Sequence, residues 1–538
     1  MKAKNIIKSI SYFLFGFILI FLILDVLANY WLPQKMEHLI KNKFSESTDS
    51  IYNLSFDKLS ISLLSKTISV SDISIVPKHG KQNLSKTYSI EIKHLKFINL
   101  SILPYLRDKK LSIERIECIE PVVLYYINSN DTSSLKKITS KRNITKSLNA
   151  ISIKKMDIIN VKFSIYKNVI DSFPIFESYE NSIVSDNINL NLKNIHKDSF
   201  MLADQLDVTL NNFKYDIEGS LYAIYSKKIL ASFSNSSIHI DSLKLIPIYN
   251  KITFADKSIY QTSRTEFYAA HLEVKHFDYN LLIKSKIIDI KKIEMSDCFI
   301  DIYRDNTRPL KQENRPSLQT IIKQIPILCS LDTIEVKNGK LNFEALNPKT
   351  NTIGTISLDK IKVSVYGITN DSVNFTENQS VEATINGYIL NKGNFTESYI
   401  FPLKANTELF YCSGSVSSMP LSSFNSIIAS SRQLKFKSGE IDTMSFSFKA
   451  EENYSNGTMT FKYHDLRIEV LNQKNSNSIK SDVSTFLLNK FKIEKSNPLQ
   501  NKKTRISKLH VKHNPYRYFL FYSMQSILSG IEPSIKKE

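Results

Sequence analysis

The sequence contains little glycine, cysteine and tryptophan. Its 538 residues include 12 glycines, 4 cysteines and a single tryptophan. So few glycines argue against the tight loops whose backbone N–H groups hold phosphate, and the Walker and GxGxxG patterns are missing. The cysteines form no CxxC pair and no close pair with histidine, which argues against a zinc site or a disulfide framework. We expect all four to be strand residues: Cys118, Cys298, Cys329 and Cys412.

Sequence patterns typical of catalysis are missing as well. The sequence has no GxSxG elbow and no HExxH motif. We therefore expect no enzymatic activity, no catalytic residue, no metal ligand and no cofactor. An enzyme remains an alternative, and it would require an acid, a base or a nucleophile gathered in one pocket.

Long hydrophobic runs are rare, and only one is long enough to cross a membrane. Residues 10–24 read ISYFLFGFILIFLIL, and VLANYW follows after Asp25. Together they supply the roughly 20 apolar residues that a membrane-spanning helix needs. The run therefore predicts a transmembrane helix over 10–31. Its candidate anchor residues are Phe13, Phe17, Leu19, Phe21, Leu24 and Trp31.

The charges before this run predict its orientation. Three lysines lie within residues 1–9. An excess of positive charge marks the cytoplasmic side of a membrane, so we expect residues 1–9 in the cytoplasm and the bulk of the chain exported. A cleaved signal peptide is the alternative, because Val26 and Ala28 have the spacing of a cleavage site.

Negative charge is in short supply along the whole chain. There are 71 Lys plus Arg against 52 Asp plus Glu, a net charge of +19. The excess is spread out and carries no nucleic-acid-binding signature, so nucleic acid is not an expected partner. Lipid headgroups or lipopolysaccharide are the expected anionic partners. A coding bias toward Lys, Asn and Ile explains the same composition equally well.

Short alternating segments fill the chain after the anchor. Such alternation, with many Ile, Val, Leu, Phe and Tyr residues, predicts strands. The clearest of these segments are 59–64, 67–76, 88–97, 111–119, 188–195 and 355–368. Helical periodicity is scarce: residues 32–50 are a linker or short helix, and 317–328 form a short helix interrupted at Pro326. The fold is predicted to be mainly β.

Self-comparison indicates an internal repeat. The segment LSIERIECIEPVVLYY (111–126) aligns with IDIKKIEMSDCFIDIY (288–303), at an offset of about 177 residues. Segment 153–165 aligns with 331–343. Segment 215–222 aligns with 383–390, where Gly219 meets Gly387. We predict a first β unit at 51–250, a second at 251–425, and a C-terminal β unit with a terminal amphipathic helix at 426–538.

The apolar face of such a sheet has to be covered by something. Because helices are scarce, the sheet could pack on another sheet, close into a barrel, or form an open trough around an apolar ligand. An outer-membrane barrel is disfavoured, because the apolar helix would hold the chain in the first membrane it meets. Periodicity alone does not choose among the remaining options.

Three segments carry a family resemblance. YNLSFDKLSISLLSKTISVSDISIVP (52–77) and LSILPYLRDKKLSIERIECIEPVVLYY (100–126) are similar to the opening after the anchor, and to the strands that follow it, in AsmA-like proteins. Residues 437–471, followed by 489–498, resemble the closing part of the shorter members. The resemblance implies a Gram-negative inner-membrane protein, related to bridge-like lipid-transfer proteins. Its periplasmic body would be a long curved antiparallel sheet, an open trough built from tandem repeats.

By this resemblance, the chain supports phospholipid transport to the outer membrane, or assembly of that membrane, by holding acyl chains in an apolar groove. Phospholipid or another envelope lipid and the inner membrane are the implied partners. The chain length leaves open whether an outer-membrane or periplasmic protein completes the path. Candidate lining residues are Ile90, Ile92, Ile113, Ile116, Val274, Ile290 and Ile293. The alternative is an anchored scaffold of β-sandwich domains that carries no lipid.

Overall fold

A computed structural model describes residues 25–26, 29–78, 86–101, 103–127, 149–168, 170–191, 201–405, 408–471 and 492–537. The predicted transmembrane helix lies mostly outside these residues, and Phe13, Phe17, Leu19, Phe21 and Leu24 lie outside them entirely. None of the helices in the described ranges is both long enough and apolar enough to span a membrane. The prediction of a mainly β protein with few helices is confirmed.

The chain divides into two compact units. The first comprises residues 1–218 with 224–236, and the second comprises 219–223 with 237–538. The described strands of the first unit are β1 (Tyr52–Ser55), β2 (Lys58–Ser62), β3 (Thr67–Pro77), β4 (Lys86–Ser101), β5 (Lys110–Ile127), β6 (Ala150–Tyr166), β7 (Phe176–Asn191), β8 (Met201–Leu202), β9 (Gln205–Asp216) and most of β10 (Tyr222–Ser232). Its described helices are α1 (29–47) and α2 (Leu103–Asp108).

The second unit contains the remaining described elements. Its strands are β11 (Ser237–Pro247), β12 (Ser263–Phe277), β13 (Ile287–Asp305), β14 (Leu328–Leu346), β15 (Ile353–Thr369), β16 (Ser380–Ile389), β17 (Gly393–Pro402), β18 (Phe410–Val416), β19 (Met419–Pro420), β20 (Leu434–Ala450), β21 (Tyr454–Val470) and β22 (Ile506–Lys512). Its helices are α3 (Lys251–Asp256), α4 (Tyr279–Ser285), α5 (Leu318–Lys323), α6 (Asn425–Arg432), α7 (Phe519–Ser529) and α8 (Ile531–Ile535).

In the first unit, strands that follow one another in sequence are mostly neighbours in the sheet. The strand β3 pairs antiparallel with β1, β2 and β4, and β4 pairs antiparallel with β5. The strands β5 and β6 run parallel, and β7 then pairs antiparallel with β6, β8 and β9. The strand β10 is hydrogen-bonded to β9.

The second unit repeats this order. The strands β11, β12 and β13 pair antiparallel in succession, β13 and β14 run parallel, and β15 to β18 follow as antiparallel neighbours. The strand β20 then joins β18 and β19 to β21, and β22 completes the sheet. Among the described strands, no pairing joins the first strand of either unit to its last, so the sheet is open within each unit.

The two parallel pairs correct the expectation of a purely antiparallel sheet. Parallel neighbours cannot be joined by a tight hairpin and need a crossover connection. In the second unit the crossover is residues 306–327, which carry the predicted short helix as α5. Residues 128–148 separate β5 from β6 in the same way, and they lie outside the described residues.

The repeat-like arrangement of strands is present and extends to irregular backbone positions. The parallel register begins at Lys110 with Ala150 in one unit and at Ile287 with Leu328 in the other, which matches the predicted offset of about 177. Positive φ angles recur at the same offset. The matched pairs are Asn99 with His276, Lys109 with Lys286, Glu120 with Asp297, and Asn160 with Asn338.

One part of the predicted repeat alignment is wrong. Gly219 lies in the turn between β9 and β10 with a φ of +69°, whereas Gly387 lies inside β16. A glycine at positive φ meets a turn requirement, whereas Gly387 leaves room for the nearby Phe395 ring. Glycine is therefore needed at the two positions for different physical reasons, and their match in the alignment is coincidental.

Buried apolar side chains are unevenly distributed. In the first unit the small buried cluster is Ile113, Ile153 and Ile188. In the second unit a much larger cluster occupies β16 to β22 beneath α7 and α8. Its fully buried members include Leu403, Phe410, Met459 and Tyr463. The main core of the molecule therefore lies near its C-terminus.

Candidate functional site

One face of the first unit carries rows of mainly apolar side chains that cross the strands. We call this the first apolar face and define it by two rows of registered neighbours. One row is Leu59, Val70, Leu95, Cys118, Ile158, Ile183 and Val208. The next is Ile61, Ile68, Phe97, Ile116, Met156, Ser185 and Leu206. Cross-strand apolar pairs of this kind stabilise a sheet and also form an extended hydrophobic surface.

Four predicted lining residues lie on this face. Ile90 is registered with Val123, and Ile92 with Pro121. Ile113 belongs to the small buried cluster, and Ile116 packs against that cluster. These positions place the four residues on one face of β4 and β5, with Ile90 and Ile92 toward one end of the strand pair and Ile113 and Ile116 toward the other. Their role as a lipid lining stays a prediction.

Ile113 and Ile116 share a face although they are three residues apart. A regular strand would place residues at this spacing on opposite faces. The alternation is broken in both strands at the same point. Ile98 pairs with Arg115 and Leu100 with Ile113, while Asn99, with a φ of +55°, and Glu114, which accepts a hydrogen bond from the Asn99 side chain, are not paired in the register.

The second unit has an equivalent surface, which we call the second apolar face. One row is Ile238, Val274, Ile293, Ile334, Val365, Ala383 and Tyr399. The next is Ile240, Leu272, Met295, Val336, Val363, Ile385 and Glu397. Two predicted residues, Val274 and Ile293, are direct neighbours. The third, Ile290, is registered with Phe277 and Leu331.

Much of both faces is half-exposed. All twelve residues of β9 are half-buried, and so are most apolar residues of β13 and β14. A large contiguous apolar surface that keeps contact with water marks a binding surface more often than a packing surface.

The reverse side of the sheet is charged. Arg115 forms ion pairs with Glu117 and Asp157 at 3.2 and 2.8 Å. In the second unit, Glu294 accepts hydrogen bonds from Lys275 and Lys292, which lower its pKa to about 2. These ladders connect neighbouring strands on the side facing away from the apolar rows, so the two faces differ strongly in polarity.

The second apolar face ends at a buried polar group. Tyr399 donates a hydrogen bond to Glu397 at 2.8 Å, and its hydroxyl lies 3.0 Å from that of Ser523 on α7. Burial raises the pKa of Glu397. Burial, with the nearby Glu397 charge, also raises the pKa of Cys412 to about 12. Beyond this point, the sheet is covered.

The cover is α7, which contacts the sheet through small residues. Ser526 is fully buried, and its hydroxyl lies 2.7 Å from that of Ser455 on β21. A Cβ added at Gly530 would meet Leu509 at 2.5 Å. Small side chains let the helix backbone approach the strands closely, so no apolar ligand has room in this region. Aromatic residues of α7 pack on the sheet as well: the centre of the Phe519 ring lies 5.2 Å from that of Phe401 on β17, and the centre of the Tyr522 ring lies 5.9 Å from that of Phe410 on β18.

The end of the first unit nearest the predicted membrane helix is held by polar contacts. Asp25 accepts hydrogen bonds from the backbone N–H groups of Leu63 and Leu64, the latter at 3.1 Å. Asn29 accepts one from Ile61 at 3.1 Å. Asp25 belongs to the predicted transmembrane helix, and the sequence did not reveal this contact because the partners are more than thirty residues away.

Exposed apolar side chains cluster at this same end. Leu63 and Leu64 in the β2–β3 turn are 50% and 55% exposed, and the predicted anchor residue Trp31 is 61% exposed. Lys35 lies over the Trp31 ring at 4.1 Å. Trp, Leu and Lys in this arrangement are typical of groups at a membrane interface.

The sequence matches no known protein-family model and no curated protein. In the described part of the chain, no group of three His, Cys, Asp or Glu side chains is arranged to hold a metal ion. The extended apolar faces are therefore the main candidate site.

Proposed function

We propose that this protein is anchored in a membrane and carries phospholipid acyl chains on its two apolar faces. The observation that carries the proposal is the continuity of the rows: in the first, every strand from β2 to β9 that reaches the row contributes an apolar side chain. Ordinary surface strands place apolar residues singly, whereas a lipid tail needs an unbroken path.

The energetics of such a path favour transfer without covalent chemistry. Burying each methylene of an acyl chain is worth about 0.8 kcal/mol. A tail that moves along successive rows exchanges one apolar contact for another, so the free energy changes little at each step. The charged reverse side of the sheet offers no comparable path and should remain in water.

The contacts of Asp25 support the idea that the lipid path begins at the anchoring membrane. They hold the β2–β3 turn, with its exposed leucines, beside the segment that leaves the predicted transmembrane helix. Lipid could enter the first apolar face at this end. Together with the AsmA-like segments, these contacts support an inner-membrane protein of a Gram-negative cell. Its body would lie in the periplasm and serve phospholipid delivery to the outer membrane.

The covered strands favour a second function for the C-terminal part. The large core beneath α7 has the character of a closed domain, and a closed domain acts as a scaffold or a docking module. An anchored scaffold without lipid would extend this role to the whole chain. The two functions differ in what contacts the apolar faces.

Site-specific photocrosslinking in cells distinguishes them. A photoreactive residue replaces Ile158 on the first apolar face or, as control, Lys154 on the charged side of the same strand, where the lysine side chain is 74% exposed. We expect phospholipid adducts, identified by mass spectrometry, at position 158 and not at position 154. Equal adducts at both positions, or none at 158, would contradict lipid carriage and favour the scaffold.

A further inference from the structure

Three arginines meet at the edge of the second apolar face. Arg304 follows Ile300 and Ile302 near the end of β13, at the spacing of two that places all three on the same face. Its guanidinium lies 5.7 Å from the centre of the Phe343 ring, and Phe343 is registered with Ile302 on β14. An apolar row therefore leads directly to a positive charge.

Of the other two arginines, Arg315 follows soon after Arg304 in the sequence, whereas Arg517 lies near the C-terminus. Arg517, in the segment before α7, donates a hydrogen bond to Gln261 at 2.7 Å, two residues before the Ser263 that Arg304 binds at 2.8 Å. The backbone N–H of Arg315 bonds Pro515 at 2.7 Å. We call Arg304, Arg315 and Arg517 the arginine cluster.

Aromatic rings support each guanidinium in the cluster. The Arg517 guanidinium lies 5.1 Å from the centre of the Phe521 ring, and that of Arg315 lies 5.3 Å from the centre of the Tyr518 ring. Stacking on a ring holds a guanidinium plane in one orientation. Arg304 donates to Ser263 and Arg517 to Gln261, and the donors not used in these bonds can bind another molecule.

In the described residues the cluster forms no ion pair, although the pKa of Glu313 is lowered by its ion-pair partner Lys311 and, to a smaller extent, by the charge of Arg315. Nearby Arg264 pairs with Glu266, and Arg308 pairs with Asp256. Burial and the neighbouring Arg517 lower the pKa of Arg304, and burial and Arg315 lower the pKa of Arg517. Partly buried like charges repel one another, and an anion bound between them would remove this cost.

We propose that Arg304, Arg315 and Arg517 bind the phosphate group of a phospholipid whose acyl chains lie on the second apolar face. Guanidinium groups bind phosphate oxygens in a bidentate manner, which a carboxamide or an ammonium group does not reproduce. This inference rests on the proposed function, since it assigns the headgroup of the same ligand. It predicts selection for lipids that carry phosphate.

Lipid binding to the full-length protein in detergent tests the proposal, with native mass spectrometry counting bound molecules. The probes are dioleoyl phosphatidylglycerol, dioleoylglycerol with the same chains but no phosphate, and inorganic phosphate. The variants are the double substitution Arg304→Gln with Arg517→Gln, the same pair changed to Lys, and the control Arg467→Gln at an exposed position of β21. Thermal unfolding reports whether each variant keeps its fold.

We expect the natural chain to bind phosphatidylglycerol at least tenfold more tightly than dioleoylglycerol. The Gln pair should reduce phosphatidylglycerol binding to the dioleoylglycerol level and leave dioleoylglycerol binding unchanged. The Lys pair should retain an intermediate preference, because it keeps the charge without bidentate bonds. Arg467→Gln should behave like the natural chain.

Two outcomes would overturn the inference. If the natural chain and the Gln pair both bound the two lipids equally, the arginine cluster would not be a phosphate site, while binding of acyl chains to the apolar face would still stand. Binding of inorganic phosphate without either lipid would make the cluster a site for a free anion, and it would contradict lipid carriage as well.

Discussion

Strands β3 to β9 and strands β16 to β22 have the same alternation of apolar and polar residues, but their apolar side chains differ in burial. In the first set most apolar side chains stay half-exposed in open rows, apart from a few buried ones such as Ile113 and Ile188. In the second set α7 covers them and they form the main core. The difference does not arise in the strands. It arises because the C-terminal segment supplies a helix whose small residues fit against the sheet, and the first unit has no such helix among its described residues.

Truncating one aromatic ring in each region should give the largest contrast. Phe410 is fully buried in the covered region, so Phe410→Ala should destabilise the protein by about 4 kcal/mol through loss of contacts and a cavity. Phe163→Ala, on the half-exposed face of β6, should cost about 1 kcal/mol. Denaturant unfolding measures both, and equal costs would mean that the two regions are packed alike.

Overpacking the covered region should have the next largest effect. A Cβ at Gly457 would lie 2.2 Å from the Ser447 carbonyl oxygen. Gly457→Val should therefore cost about 3 kcal/mol, because backbone atoms cannot move aside as a flexible side chain can. Thr458→Val in the same strand serves as the control, and a loss of stability as large as that of Gly457→Val would argue against close packing as the cause.

A charge placed in the open rows should affect ligand binding more than stability. Ile158→Asp should cost about 1 kcal/mol in unfolding free energy, because the half-exposed site lets water reach the carboxylate. It should also reduce co-purifying phospholipid about tenfold, because it interrupts a continuous row. Lys154→Asp on the reverse side should leave the lipid content unchanged. Lipid analysis of the purified full-length protein is the measurement, and an unaffected lipid content in Ile158→Asp would contradict the row as a path.

Two glutamates should change the free energy of unfolding with pH in opposite directions. This is the smallest of the expected effects. The lysines around Glu294 hold its pKa at about 2, below the ordinary 4.5. Its contribution is therefore present above pH 4.5 and is lost as the pH falls toward 2. Because the ladder is partly exposed, Glu294→Gln should cost less than about 1 kcal/mol at neutral pH. Unfolding measured from pH 7 to 3 should show this difference shrinking.

Glu397 is the matched case in the covered region. Burial raises its pKa above 4.5, so the folded state holds a proton that the unfolded state releases. Stability should then fall as the pH rises from 4.5 through the raised pKa, and Glu397→Gln should remove this dependence while keeping an acceptor for Tyr399. This assignment would be contradicted if the stability of the natural chain, compared with that of Glu397→Gln, rose over the same pH interval.

Several features of the fold were readable from local pattern. Alternation predicted strands such as β3 and β15, and the match of 111–126 with 288–303 predicted the equivalence of β5 and β13. The helix α5 and its end before Pro326 followed from the same kind of reading. These features depend on residues that are close in sequence, where side-chain periodicity is a direct physical signal.

Other features could not be read in this way. A residue at positive φ, such as Asn99, shifts the alternation of its neighbours, and nothing in the residue type alone identifies it. The parallel pairing of β5 with β6 depends on the path of a crossover. The arginine cluster joins Arg517 to two arginines that lie more than two hundred positions earlier, and in the sequence each one looks like an ordinary surface arginine.

The sequence by itself determined the polarity of the sheet, because alternation forces one apolar and one charged face wherever a strand forms. It also determined the repeat, because similar strands pair in similar registers. Only the tertiary structure decided which apolar rows are covered, where irregular residues return a side chain to the same face, and which arginines meet. These outcomes depend on long-range packing, where the position of α7 or of the loop before α5 is set by contacts across the whole second unit.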